Sequence, residues 1–261
     1  KKFKGKMWNT WQKEYKFRNK KAIIEAKKTY QEEYLYESFI QYYFYKQWKK
    51  LKDYANNKGI KIIGDLPIYV ATNSSDTWQN PKLFCFDKYL KIKSVAGCPP
   101  DYFSKTGQLW GNVLYNWEKM EKTDYSWWIN RVKHSFLLYD ILRLDHFRGF
   151  ASYWSIRYGE KTAINGKWEK GPRYKFFKKL ESKIANMDIV AEDLGTLTPD
   201  VFKLLEQTRY PNMKVLEFGL AEWDNMYNPR NYSENSVAYT GTHDNMPIVE
   251  WYEKLNSVEK N

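Results

Sequence analysis

The chain reads as a parallel α/β protein, part of a (β/α)8 TIM barrel with its active site on long loop insertions. Three observations predict this. Five short runs of β-branched and apolar residues alternate with stretches of helical periodicity, the pattern of a parallel sheet. Three of the runs close on carboxylic acids: Asp145 after residues 141–144, Glu192 after 189–191, and Asp244 a few residues beyond 236–239. The C-terminal ends of barrel strands share one mouth, so acids ending three different strands converge although they are far apart in sequence. Five strands are fewer than a closed barrel needs. The 261 residues are therefore expected to be the central portion of a longer catalytic barrel, incomplete at both ends.

In chain order, residues 1–19 are irregular and aromatic, carrying Trp8 and Trp11. One long helix is expected over 21–57, where Phe39, Ile40, Tyr43, Phe44, Trp48, Leu51 and Tyr54 recur at three- and four-residue steps, with Gly59 as its stop. Residues 60–65 follow as a buried-type strand. Residues 66–122, rich in Pro, Gly, Asn and Asp, read as an inserted loop or subdomain, and a loop of that length usually carries function. A helix over 127–139 leads into the strand at 141–145, and one over 174–185 leads into the strand at 189–192. Thr198-Pro199-Asp200 opens a helix to about 208, with Pro at its first position. Strands at 214–218 and 236–239 and a last helix over 247–255 complete the series.

Composition bounds the function. With 43% hydrophobic and 28% charged residues the chain is of a globular kind, and no apolar stretch approaches the roughly 18 residues needed to span a bilayer, so no membrane partner is expected. The net charge of +12 raises nucleic acid as a partner. The lysines, however, are interleaved with core-type residues along helices, as at Lys46, Lys49, Lys50, Lys52 and Lys58, and a solvated surface is the better reading. Cys85 and Cys98 lack the companions that a zinc site or a disulfide framework requires, which suits two thiols in a reducing, cytoplasmic setting. The aromatic share of 18% is high, and flat rings are the usual partners of sugar faces. A nucleophilic carboxylate and a proton-donating one are what glycosidic-bond cleavage requires.

Six segments, in order, carry a resemblance. They are Gly64-Asp65-Leu66-Pro67-Ile68-Tyr69-Val70-Ala71, Ala96-Gly97-Cys98-Pro99-Pro100-Asp101-Tyr102-Phe103-Ser104, Gly107-Gln108-Leu109-Trp110-Gly111-Asn112, Arg143-Leu144-Asp145-His146-Phe147-Arg148-Gly149, Ala191-Glu192-Asp193-Leu194-Gly195 and Tyr239-Thr240-Gly241-Thr242-His243-Asp244-Asn245. Together they resemble the 4-α-glucanotransferases, the amylomaltases or disproportionating enzymes of glycoside hydrolase family 77, from about Tyr34 onward. The departures are Val113 in place of a frequent Pro, Cys98 in place of a small apolar residue, and Asn73 in place of a common acid.

The resemblance implies a retaining transfer of α-1,4-glucan segments from a maltooligosaccharide or starch-like donor to a glucan or glucose acceptor, without metal or cofactor. It makes Asp145 the nucleophile, Glu192 the general acid/base and Asp244 the third acid, which holds the hydroxyls of the distorted sugar, with His243 beside it. Retention places the carboxyls of Asp145 and Glu192 roughly 5–5.5 Å apart. Arg143, two residues before Asp145 on one strand, shares its face and favours the ionised carboxylate. Glu192 and Asp193 face opposite ways, so only one enters the mouth. His146 is either a sugar contact or structural, His243 a sugar contact or a satisfied buried histidine, and Asp65 lines the mouth or pairs with Arg143. Tyr102, Phe103 and Trp110, with Asn112, lie on the segment 99–115, where the rings could stack an acceptor and exclude water. An α-amylase-type hydrolase and a non-catalytic glucan-binding fragment are the alternatives, separated by the products formed from maltotriose.

Overall fold

The structure is a computed structural model, and it describes residues 3–101, 104–195, 197–219 and 225–257. Its frame is a five-stranded parallel sheet of β1 (Ile63–Leu66), β4 (Ile141–Leu144), β7 (Ile189–Ala191), β8 (Asn212–Val215) and β9 (Ser236–Tyr239), in that spatial order. Sequential strands that lie side by side and parallel form the arc of a barrel, as expected. Alternation along each strand separates two faces. Leu66, Leu142, Leu144, Ile189 and Ala191 enter the core beneath α6 (Ser126–Leu138), α8 (Arg173–Glu181) and α9 (Pro199–Thr208). Asp65 and Arg143, register partners across β1 and β4, stand on the opposite face.

The first four helices are α1 (Lys13–Lys16), α2 (Lys20–Thr29), α3 (Gln31–Asn57) and α4 (Ser75–Gln79). The single helix expected over 21–57 is two, because Tyr30 leaves helical geometry at φ −112°, ψ 38°. Asn19 caps α2 by accepting from the Lys21 and Ala22 N–H groups, and Gly59, at φ +74°, follows α3 as the left-handed stop. No described residue of α3 is buried, and its aromatic stripe, including Tyr36, Phe39, Tyr43 and Phe44, faces outward. The helix is tied to α6 through Tyr45, bonded to His134 at 2.6 Å, and Trp48, whose Nε1 donates to the Leu138 carbonyl at 2.7 Å.

Of the two forms expected, loop or subdomain, the region 66–122 has regular elements rather than one continuous loop. Besides α4 it holds α5 (Trp117–Lys122) and two strands, β2 (Ser94–Cys98) and β3 (Gln108–Val113). These join β5 (Ser152–Arg157) and β6 (Lys167–Lys170) in a four-stranded antiparallel sheet of order β3-β2-β5-β6. Sequence reasoning missed all four strands for a physical reason. Four of the six residues of β3 are exposed and the fifth only part-buried, so no alternation is visible, and β2 pairs with a strand more than fifty residues away. A register shift falls between Val95 and Gly97, where a Cβ would come 2.1 Å from the Gln108 carbonyl oxygen, so only glycine allows the strands to close.

Much of the aromatic excess is core. Trp117, Trp128, Phe150 and Phe176 pack between the short α7 (Arg148–Ala151), α6 and α8, with Phe150 stacked on Phe176 at 5.3 Å. Phe150 sits on α7, the short helix that carries the chain from β4 of the parallel sheet into β5 of the antiparallel one. The last helix, α10 (Ile248–Lys254), follows β9 and is half to fully exposed.

Candidate active site

The ends of β1, β4 and β7 bring together Asp65, Arg143, Asp145 and Glu192. Arg143, only 13% exposed, donates through Nη1 to Asp65 Oδ1 at 2.7 Å and to Asp145 Oδ1 at 3.2 Å. Its Nε points at the Met213 sulfur on β8, 3.3 Å away. Arg143 and Asp145 share a face because they are two residues apart on an extended chain, so one guanidinium serves both acids. Asp65, left open by the sequence, pairs with Arg143.

Glu192 is buried, with both carboxyl oxygens held by main-chain donors. Oε2 accepts from the His146 N–H at 2.6 Å and Oε1 from the Leu194 N–H at 2.9 Å. Residue 146, two past the end of β4, turns into the left-handed region at φ +49° beside this N–H. Burial, and then the charge of Asp145, raise the Glu192 carboxyl from 4.5 to about 7; the two N–H donors and Arg143 pull the other way. Asp145 is also raised, by burial first; the Arg143 guanidinium offsets part of that rise, while Asp65 and Asp244 add to it. The expectation that Arg143 favours ionised Asp145 is right in direction, and burial outweighs it. A buried carboxyl able to hold a proton near neutrality, beside a half-exposed one pinned by a guanidinium, is an acid/base and nucleophile pattern.

Asp193 points the other way and is sequestered between strands. It accepts from the Met213 N–H and from Asn212 Nδ2, each at 3.0 Å. Ala191 and Asn212 form the one register pair of β7 with β8, so Asp193 stitches a junction the ladder leaves short. Asp193 is thus spent on the β7–β8 junction, while the Glu192 carboxyl is held by the His146 and Leu194 N–H groups.

Asp244 and His243 lie on a turn after β9. Asn245 Oδ1 accepts from both the N–H and the hydroxyl of Thr242, and Thr242 in turn accepts from the Asp244 N–H at 3.2 Å. The His243 and Asp244 side chains are 70% and 81% exposed, 3.6 Å apart. His243 is therefore not a satisfied buried histidine. Neither residue bonds to the Arg143 cluster, and the link to it is electrostatic, through the charge of Asp244 acting on Asp145.

Of the segment 99–115, Tyr102 and Phe103 lie outside the described residues. Trp110, on β3, meets the His146 ring edge to face at 4.8 Å. Asn112 donates to the Val70 carbonyl at 3.0 Å, tying β3 to the chain leaving β1. The His146 ring is neutral: burial, then the charge of Arg148, lower it to about 3. Sequence reasoning missed three participants. Met213 lay just outside the strand expected at 214–218, which the structure moves to Asn212–Val215 with residues 216–218 in a helical turn, whereas Arg148 could have been found from its place in the 143–149 segment. The Leu194 N–H, a backbone group, leaves no trace in residue identity. Among the described residues no group of three or more His, Cys, Asp and Glu could hold a metal, and no helix is long and apolar enough to cross a membrane.

Known proteins are similar to this chain in sequence and fold. The chain is 51% identical to the 4-alpha-glucanotransferase of Clostridium butyricum over 261 residues, covering 99% of this chain and 54% of that protein. It is 48% identical to the Aquifex aeolicus enzyme of the same name, covering 96% of this chain and 52% of that one. The amylomaltase of Streptococcus agalactiae, solved in complex with acarbose, superposes with a TM-score of 0.95 at 41% identity, over 99% of this chain and 53% of that one. The chain thus spans about half the length of these relatives. The family model for 4-alpha-glucanotransferase matches residues 1–261, so the chain belongs to the 4-alpha-glucanotransferase family, glycoside hydrolase family 77.

Proposed function

We propose that the protein containing this chain transfers α-1,4-glucan segments with retention, from a maltooligosaccharide or starch-like donor to a glucan or glucose acceptor. The observation that carries the reading is the pairing of a proton-holding Glu192 with Asp145 fixed by Arg143. In the first half-reaction Asp145 attacks the anomeric carbon while Glu192 gives its proton to the departing glycosidic oxygen, leaving a covalent glycosyl ester and an ionised Glu192. In the second, Glu192 takes the proton of an acceptor hydroxyl, whose oxygen displaces Asp145. Among the described residues the Asp244 carboxylate has only His243 Nε2 beside it, at 3.6 Å, so it is exposed and suited to gripping the sugar that distorts. Trp110 offers a ring for stacking. The centre works without metal or cofactor in this reading, and the two free thiols, Cys85 and Cys98, fit a cytoplasmic protein.

The test uses the complete protein. Glu192→Gln given an activated glycosyl donor should accumulate an adduct on Asp145, because an activated leaving group needs no acid in the first step while the second still lacks its base. Mass-spectrometric mapping of the adduct to any other residue refutes the assignment. Maltotriose incubated with the parent should yield longer chains as well as glucose; glucose and maltose alone would indicate a hydrolase.

A further inference from the structure

His146 carries out no proton transfer in the proposed reaction, yet three independent features converge on it. It is a non-glycine residue at φ +49°, a conformation that β-branched residues avoid and Asn tolerates. That turn aims its N–H at Glu192 Oε2 at 2.6 Å, while the next N–H, from Phe147, reaches the Glu192 carbonyl at 2.9 Å. Its ring then fills a slot. A Cβ on Gly149 would come 2.7 Å from Ile68 Cδ1 and 3.1 Å from the His146 ring, and the same imidazole meets Trp110 edge to face at 4.8 Å.

We propose that His146 is a positioning residue acting in two directions: its left-handed backbone presents the N–H that holds Glu192, and its ring props Trp110. The inference rests on reading Glu192 as the acid/base, and of the two readings of His146, sugar contact or structural, it takes the structural one. The groups facing Glu192 are Asp145 and Arg143 from β4, Cys98 from the end of β2, Tyr227, and the His146 and Leu194 N–H donors. The ring of His146 is not among those setting its charge.

The two directions are separable by substitution in the complete protein. His146→Val disfavours positive φ and so withdraws the N–H, whereas His146→Gly and His146→Asn keep the turn while removing or shrinking the ring. The N–H favours ionised Glu192, so its loss in His146→Val should move the alkaline limb of kcat/KM upward by about one pH unit, a tenfold change in that proton equilibrium. His146→Gly should leave the limb in place and raise KM for the acceptor several-fold, because Trp110 loses its prop. His146→Asn should restore the limb and, in part, KM. Equal limb shifts in Val and Gly variants, or a KM unchanged in Gly, overturn the proposal. A second measurement is independent of turnover. Combining Glu192→Gln with each His146 variant in unfolding experiments should show coupling with residue 192 altered in Val and preserved in Gly. Preserved coupling together with an alkaline limb that Glu192→Gln fails to remove would locate the error in the acid/base reading. Absent coupling would locate it in the positioning role.

Discussion

Glu192 offers a test of the site that needs no substrate. Its carboxyl lies at about 7 rather than 4.5, chiefly because it is buried at 8% exposure, and then because Asp145 is beside it. At about 1.4 kcal/mol per pH unit that elevation corresponds to about 3 kcal/mol. The sign follows from the raised value. Below about pH 4.5 the group is protonated folded and unfolded and costs nothing. As pH rises toward 7 the unfolded chain sheds the proton while the folded one retains it, so the parent loses stability across that window; above it the loss is constant. Glu192→Gln removes the titration. The amide can accept only one of the two N–H bonds that Glu192 accepts, a penalty of about 1–3 kcal/mol that does not vary with pH. In urea unfolding of the complete protein between about pH 4.5 and 7.5, stability of variant minus parent should therefore climb by about 3 kcal/mol, whatever its offset. The climb should shrink in an Asp145→Asn background, where the neighbouring charge is gone. A difference flat in pH would refute the claim that this carboxyl is desolvated and proton-holding.

The other expectations follow from contacts already described. Arg143→Leu withdraws the guanidinium from Asp65 and Asp145, so the acid limb of kcat/KM should move upward and activity fall about a hundredfold or more; an unmoved limb would exclude Arg143 as the partner of the nucleophile. Asp244→Asn should lower kcat/KM about a hundredfold with thermal stability unchanged, since its side chain is 81% exposed; a matching loss of stability would make its role structural. Trp110→Ala should weaken acceptor binding by about five- to thirtyfold, the 1–2 kcal/mol of one lost ring contact, read as KM on maltotriose. The isolated 261-residue chain should self-associate, because the aromatic face of α3 and the edges of β1 and β9 are uncovered among the described residues; a monodisperse monomer in sedimentation would count against this.

Residue identity was sufficient for the parallel frame and the acids that close its strands. Alternation of helical and β-branched periods is local, and a strand-end acid is visible wherever an apolar run stops, as at Asp145 and Glu192. The same logic placed the strand at 236–239 on its observed bounds. It failed where order comes from distant partners. The antiparallel sheet escaped notice because β3 is largely exposed and β2 finds β5 only after the chain has passed through β4. The resemblance had already given the acid/base role to Glu192, but what Asp193 does needed three dimensions: the Asn212 and Met213 donors on β8 hold it in a structural junction. The charge state of Glu192 was equally out of reach, since burial and main-chain N–H groups set it, and neither is written in a residue's name. What the sequence determined by itself was the chemistry available at the mouth. Tertiary structure alone decided which acid keeps its proton, because desolvation and the reach of a hydrogen bond depend on what the fold brings within a few ångströms.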